Sequence, residues 1–239
     1  MNILKRMSTG KFVIVGVLIG CILLVLIRDY IDSPTIKYKM SVYVDTPQGL
    51  KVGSAVREMH FRMGYAPFLG RRIAATTLYG AAVAVDLGNG RAVFATLNGG
   101  ANSDLSTDHA KNILWSVFPT SAGAYTVEGA HFYRRLRAPE TELKIEQYPM
   151  VLYYDPQISS DLMEMYENNY VLDNGIAVEK ITIETAINSA SLEKMQEWWS
   201  KISSDSFRVY VYRNGKLNIE PGRRLRKNFG LKKNSFISE

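Results

Sequence analysis

The chain has 239 residues, a single cysteine and a formal net charge of +6 at pH 7. Its ordinary globular composition excludes a disordered chain and a membrane protein with many spans. The cations are concentrated at the two ends, because residues 1–35 carry a net charge of +2 and the segment from Pro221 onward carries +5, which leaves −1 between them. Since nucleic-acid-binding domains carry basic residues across a folded face, we expect no nucleic-acid partner.

An apolar run extends from Phe12 to Ile27 and is bracketed by Lys11 and Arg28. In a helix its sixteen residues rise about 24 Å, less than the roughly 30 Å of a hydrocarbon core, but both flanking basic side chains can reach outward. We therefore predict a transmembrane signal anchor over residues 12–30, behind a basic cytoplasmic segment of residues 1–11. The positive charge before the run indicates a single-pass protein of the inner (plasma) membrane with its C-terminal domain in the periplasm.

Three alternatives compete with the signal anchor, and two of them stay open: a lipoprotein and a buried core helix. Leu18-Ile19-Gly20-Cys21 has the form of a lipobox, in which Cys21 is lipidated, although the apolar residues after it would then form an exposed tether. A cleaved secretory signal requires small residues before the cut, and Val25-Leu26-Ile27 supplies none. A buried core helix is the third alternative.

Strand patterns dominate the soluble region, which we place at residues 36–220 and predict to be a strand-rich α+β domain with a few helices. A half-buried strand is predicted from alternating apolar residues at Ile36, Tyr38, Met40, Val42 and Val44. Further strands are predicted over residues 55–63, over 143–154 with an interruption near Pro149, and over 177–185. Hairpins are predicted around Gly88-Asn89-Gly90, between residues 82–87 and 91–97, and around Asn214-Gly215, between residues 208–212 and 216–220.

Three helices are predicted from capping residues and apolar spacing. The first is capped by Thr107 and carries Ala110, Ile113, Leu114 and Val117. The second begins near Ser160 and carries Leu162, Met165, Tyr166 and Tyr170. The third begins at Ser191 and carries Leu192, Met195, Trp198, Trp199 and Ile202. No element is predicted between the first helix and Arg137.

Catalytic and metal-binding patterns are missing from the sequence. It contains no Walker loop, no H-E-x-x-H, no Gly-x-Ser-x-Gly and no Cys-x-x-Cys. Asn102 to Ser106 alternates oxygen-bearing side chains as a calcium loop does, but Thr107 and Ile113 stand where glycine and glutamate are required. We therefore predict no catalytic site, no metal and no cofactor. An alternative is a hydrolase-like envelope enzyme that uses His60 or His131 with Asp86 or Asp155; the remaining histidine is His109.

Three groups of cations are candidate binding sites for anions. The C-terminal segment, residues 221–239, is a basic tail suited either to an anionic membrane surface or to a solubilising role; its cations are Arg223, Arg224, Arg226, Lys227, Lys232 and Lys233. Arg71-Arg72 and Arg134-Arg135-Leu136-Arg137 are the other two groups, and solvated surface charge is the favoured interpretation for both. The expected partners are the membrane, envelope proteins and anionic lipid.

The segment from Tyr43 to Val56, YVDTPQGLKVGSAV, resembles the opening of an uncharacterised family of single-pass, membrane-anchored proteobacterial envelope proteins. That family shows a strand, then T-P-x-G, then G-S-x-V. Similar pieces follow in the same order at residues 82–88, at 149–151 with Asp155, and at 175–184. The resemblance implies an N-terminal anchor and an envelope domain, without an assigned activity.

A second, shorter resemblance starts at Gly49. Gly49-Leu50-Lys51-Val52-Gly53-Ser54-Ala55-Val56 is similar to the G-L-x-x-G-x-x-V of mammalian-cell-entry-type lipid-transport domains, while the following G-x-x-V-G-x-V of that family is missing. It implies a lipid-transport module, which we keep as an alternative. The favoured expectation is a non-catalytic binding or scaffolding domain held at the membrane.

Overall fold

A computed structural model describes residues 9–66, 71–99, 108–158, 162–166, 175–185, 208–213, 216–217 and 237–238. Helix α1 covers Thr9–Ile31, α2 Asp108–Val117 and α3 Val127–Arg135. The strands are β1 Thr35–Asp45, β2 Lys51–Ala66, β3 Arg71–Ala81, β4 Val83–Gly88, β5 Arg91–Gly99, β6 Thr141–Glu142, β7 Pro149–Tyr154, β8 Leu162–Tyr166, β9 Ala177–Thr185, β10 Arg208–Arg213, β11 Lys216–Leu217 and β12 Ile237–Ser238. A short 3-10 turn, Ile145–Gln147, precedes β7.

The strands form two sheets. Sheet A has the order β12-β3-β2-β1-β9-β6, and sheet B has the order β11-β10-β8-β7-β5-β4. Among the described strands every pairing is antiparallel except that of β8 with β10. The chain passes from sheet A to sheet B at Ala82, between β3 and β4.

Sheet A separates apolar from polar side chains because successive residues of a strand point to opposite faces. The inward residues of β1, from Ile36 to Val44, are buried, while Lys37, Lys39 and Tyr43 on the other face are partly exposed. The outward face carries ion pairs, Lys37 Nζ to Glu58 Oε1 at 2.8 Å and Lys39 Nζ to Glu184 Oε2 at 2.8 Å. This face is therefore in contact with solvent, as is common in antiparallel sheets.

In sheet B the neighbouring strands β5 and β7 are buried on both faces. Val93 and Ala95 of β5 join the core that faces sheet A, while Ala92 and Phe94 on the opposite face of the strand are also buried. Every residue of β7 is buried as well. This explains why these strands read as continuous apolar runs rather than as alternating patterns.

Helices α2 and α3 close the end of the core that lies nearest α1. Trp115 of α2 packs against Phe61 of β2, with ring centroids 5.6 Å apart, and against Tyr133 of α3, with centroids 4.8 Å apart. The buried Tyr133 hydroxyl donates a hydrogen bond of 2.8 Å to the Phe118 carbonyl, and burial raises its pKa to about 12. The aromatic cluster thus fixes both helices on the sheet.

Most of the predicted strands are confirmed: β1, β2, both members of the first hairpin, β7, β9 and the pairing of β10 with β11. The strand-rich fold with few helices and the first predicted helix, α2, are confirmed too. Pro149 begins β7 rather than interrupting a longer strand, which is a position that proline tolerates.

The helix predicted to begin near Ser160 is wrong. Residues Leu162–Tyr166 form β8, which pairs with β7 on one side and β10 on the other. The i, i+3, i+4 spacing of its apolar residues also fits a strand this short, and pairing with strands distant in sequence decides the outcome. The helix predicted from Ser191 and its tryptophans lie outside the described residues, as do Thr107 and the rejected calcium loop at Asn102–Ser106.

Candidate membrane-proximal site

Helix α1 carries apolar side chains all around its circumference. Those from Ile14 to Ile27, apart from the small residues, are all at least two-fifths exposed, and Leu24 is 68% exposed. Ile27 and Cys21 are among the exposed positions, and Phe12 lies in the first turn and a half of the helix. In the part of the chain that the structure describes, no helix is long and apolar enough to cross a membrane.

The end of α1 is joined tightly to sheet A. After Ile31 only three residues precede β1, and two of them bind β2. The Met63 backbone N–H donates to the Ser33 hydroxyl at 3.1 Å, and the Phe61 N–H donates to the Pro34 carbonyl at 3.0 Å. These contacts fix where the helix leaves the sheet.

Helix α3 lies next to this junction. His131 Nε2 is 3.2 Å from Asp32 Oδ1, and Asp32 is the first residue after α1. The helix begins at Thr126, whose hydroxyl accepts a hydrogen bond of 3.0 Å from the Gly129 N–H. Its buried face consists of small residues and one aromatic, Gly129, Ala130 and Tyr133, so that the helix packs close to the core.

Three exposed arginines lie at the C-terminal end of α3 and directly after it. Arg135 Nε donates to the His131 carbonyl at 3.2 Å, and Arg137 Nη1 donates to the carbonyls of Arg134 and Leu136 at 3.1 Å and 2.9 Å. Cations at this position complement the negative end of the helix dipole. A cleft of about 500 Å³ follows the exposed face of α3 and is lined by Val127, Glu128, His131, Arg134 and Arg135.

A second polar group lies on the outer face of sheet A. The Glu140 carboxylate accepts hydrogen bonds from Thr182 at 2.6 Å and from Tyr43 at 2.5 Å. Both bonds favour the charged carboxylate and hold the pKa of Glu140 below its ordinary value, and the bond to Glu140 raises the pKa of Tyr43. The Lys180 ammonium lies 4.8 Å from the centre of the Tyr43 ring. This group ties the 136–140 segment to β1 and β9.

The histidines pair with carboxylates other than those of the hydrolase-like alternative. His60 Nε2 is 3.3 Å from Glu58, and His131 contacts Asp32. Asp86 accepts a hydrogen bond from the Gly88 N–H, and Asp155 accepts from the Gln157 N–H and the Tyr153 hydroxyl. His109 lies in α2. Among the described residues, no three metal-ligating side chains form a cluster.

Arg57 is a buried cation that belongs to none of the predicted sites. It lies on the inward face of β2 and is completely buried. Its guanidinium donates to the carbonyls of Ala81, Ala95 and Thr96 at 3.2 to 3.4 Å. The sequence contains a sign of this buried charge, because Arg57 occupies an inward position of the predicted 55–63 strand.

The side chains of the remaining candidate cations lie outside what the structure describes. Arg71 and Arg72 begin β3. The tail residues from Arg223 to Lys233 lie outside the described residues, although β11 before them is in sheet B and β12 after them pairs with β3 in sheet A.

Comparison with protein-family models, curated proteins and solved structures finds no match to this chain, so both family resemblances stay predictions.

Proposed function

We propose that this chain is a membrane-anchored envelope protein whose strand-rich domain binds or scaffolds other envelope components without catalysing a reaction. In this proposal α1 is held in the inner membrane and the two-sheet domain lies on the periplasmic side. The observation that carries the proposal is the exposure of apolar side chains on all sides of α1 from Ile14 to Ile27, because a helix that is apolar on all sides requires an apolar environment.

Because no helix among the described residues is by itself long and apolar enough to cross a membrane, the short apolar run sets a condition on the proposal. Because sixteen residues rise only about 24 Å, Lys11 and Arg28 must extend their charges toward the headgroups on either side. Arg28 suits this role, since its side chain is 74% exposed. The basic residues before the run favour a cytoplasmic N-terminus.

Placing a charge in the centre of the run tests the anchor. We expect Leu23→Arg to shift the full-length protein out of the membrane pellet after an alkaline carbonate wash, because an arginine at the centre of a helix raises the free energy of insertion by about 2.5–3.5 kcal/mol. Tyr30→Arg is the matched control, since Tyr30 lies at the end of α1 and is 84% exposed; it should stay in the pellet with the wild type.

The intact mass of the protein purified from its native membrane separates the two modes of anchoring. A mass that retains the whole N-terminal segment supports the signal anchor. A chain beginning at a lipid-modified Cys21 contradicts the helix anchor and makes the protein a lipoprotein. A wild-type chain that the carbonate wash releases contradicts both.

A further inference from the structure

The exposed face of α3 combines a cleft with the positive charge of Arg134 and Arg135, which form no ion pair among the described residues. The lining residues are one and two turns apart in the helix, so their side chains project from one face. Arg134 and Arg135 lie at its C-terminal end, and Glu128 lies at its N-terminal end. Arg134 lies six positions after Glu128, which is about 9 Å along the helix axis, so the basic end is distinct from the acidic end.

The arginines retain most of their donor capacity. A guanidinium has five N–H donors. Arg135 uses its Nε and Arg137 uses Nη1 on backbone carbonyls, while the side chain of Arg134 has no hydrogen-bond partner among the described residues. Within that part of the chain, none of the three forms an ion pair with a carboxylate. The hydrogen bonds that cap the end of α3 therefore use only part of the donor groups of these arginines.

The contact between His131 and Asp32 sets the position of this face relative to α1. Asp32 directly follows the last residue of the helix, and His131 lies one turn before Arg134 and Arg135. The headgroup layer is roughly 5–7 Å thick on each side of the hydrocarbon core. Arg134 and Arg135 lie about one helical turn from the residue that contacts the end of α1. Beyond them the chain leads away from α1, because Ala138 binds Thr185, which is paired with Tyr38 of β1.

We propose that Arg134, Arg135 and Arg137 bind the phosphate of an anionic phospholipid headgroup in the membrane that holds α1. The proposal rests on the membrane anchoring proposed above. Guanidinium groups form paired hydrogen bonds with phosphate oxygens, and exposed cations near the bilayer surface attract anionic lipid. The bound headgroup would fix the tilt of the domain on the membrane.

The test uses the full-length chain in vesicles of phosphatidylcholine that contain a trace of spin-labelled phosphatidylglycerol or spin-labelled phosphatidylcholine. Electron paramagnetic resonance measures the fraction of each label held by the protein. We expect the wild type to prefer phosphatidylglycerol, by roughly fivefold for each engaged arginine. The triple variant in which Arg134, Arg135 and Arg137 are all replaced by glutamine should lose most of this preference. The triple variant in which the same three arginines are replaced by lysine should retain part of it.

Two matched variants control for net charge. Lys51→Gln, Lys144→Gln and Lys180→Gln together remove the same charge from the half of the domain that lies away from α1, and should leave the preference unchanged. Arg223→Gln, Arg224→Gln and Arg226→Gln remove three cations of the basic tail. Loss of the preference in the tail variant but not in the α3 variant overturns the proposal, and so does a wild type without any preference.

The same samples separate this inference from the anchoring itself. If carbonate washing strips the wild-type chain from the vesicles, the anchoring fails and the lipid site fails with it. If the chain stays in the vesicles while both labels associate equally, the anchoring stands and the headgroup site is wrong. Glu128→Gln gives an independent check, because removing the one carboxylate in the cleft should increase the preference.

Discussion

Arg57 donates hydrogen bonds to three backbone carbonyls close to the point where the chain crosses from sheet A to sheet B. Ala81 ends β3, where the chain leaves sheet A, and Ala95 and Thr96 lie where the pairing of β5 with β7 is interrupted. A buried carbonyl without a donor costs about 1–3 kcal/mol. The guanidinium therefore supplies donors to both sheets at the point where the chain crosses between them. Its buried charge is offset by these carbonyl dipoles.

Replacing Arg57 by methionine tests whether the hydrogen bonds outweigh the cost of burying the charge. We expect Arg57→Met to lower the free energy of unfolding by about 2 kcal/mol or more. Three buried carbonyls lose their charged donor, and this loss outweighs the gain from no longer burying one guanidinium. Chemical denaturation of the full-length protein in detergent measures the difference. Arg62→Met is the control on the same strand, where an exposed side chain should change the stability by less than about 0.5 kcal/mol. Equal stability of Arg57→Met and wild type would show that desolvation dominates.

Local sequence patterns predict those elements that carry a clear alternation of apolar residues or a clear turn signal. Strand β1 follows from its alternation, and the β4–β5 hairpin follows from Gly88-Asn89-Gly90, where Asn89 and both glycines adopt positive φ. The local pattern predicts a helix where β8 lies, and the strand forms because β7 and β10 pair with it on either side.

Helix α3 has local sequence signals of a helix, although no element is predicted there. Thr126 is a favourable N-cap, Glu128 lies in the first turn, and Arg134 and Arg135 lie in the last. The small residues Gly129 and Ala130 on its buried face gave no apolar periodicity. The sequence offers the arginines as an anion site only as the alternative to solvated surface charge. Their place beside α1 depends on the contact between His131 and Asp32, residues 99 positions apart. No local pattern contains that information.

Strand β2 contains two glycines whose surroundings differ sharply. A Cβ atom at Gly53 would collide with the Ala84 carbonyl of β4, whereas one at Gly64 would meet nothing within 4 Å. We expect Gly53→Ala to lower the free energy of unfolding by about 1–3 kcal/mol, since β2 and β4 must move apart. Gly64→Ala should leave it unchanged or raise it by up to about 1 kcal/mol, because alanine loses less backbone entropy on folding. Thermal and chemical denaturation of both variants measure the difference, and equal stabilities would contradict the close approach.

The two sheets enclose one apolar core. Residues of β1, β2 and β9 from sheet A meet residues of β4, β5 and β7 from sheet B, and α2 and α3 cover the end beside α1. Opening either sheet exposes the inward face of the other to water. Arg57 and the contact of Gly53 with Ala84 add polar and steric links across the same boundary. This arrangement favours cooperative unfolding over independent loss of one sheet.

Hydrogen exchange of the full-length protein in detergent tests this cooperativity. The slowest amides of β1, in the middle of sheet A, and of β7, in the middle of sheet B, should exchange with the same free energy, because both require the shared core to open. Gly53→Ala should then lower both values by equal amounts, although the substitution lies in sheet A, and Gly64→Ala should lower neither. Mass spectrometry of peptides covering 35–45 and 149–154 gives both values from one sample. A decrease confined to the first peptide would mean that each sheet unfolds by itself and that the core does not couple them.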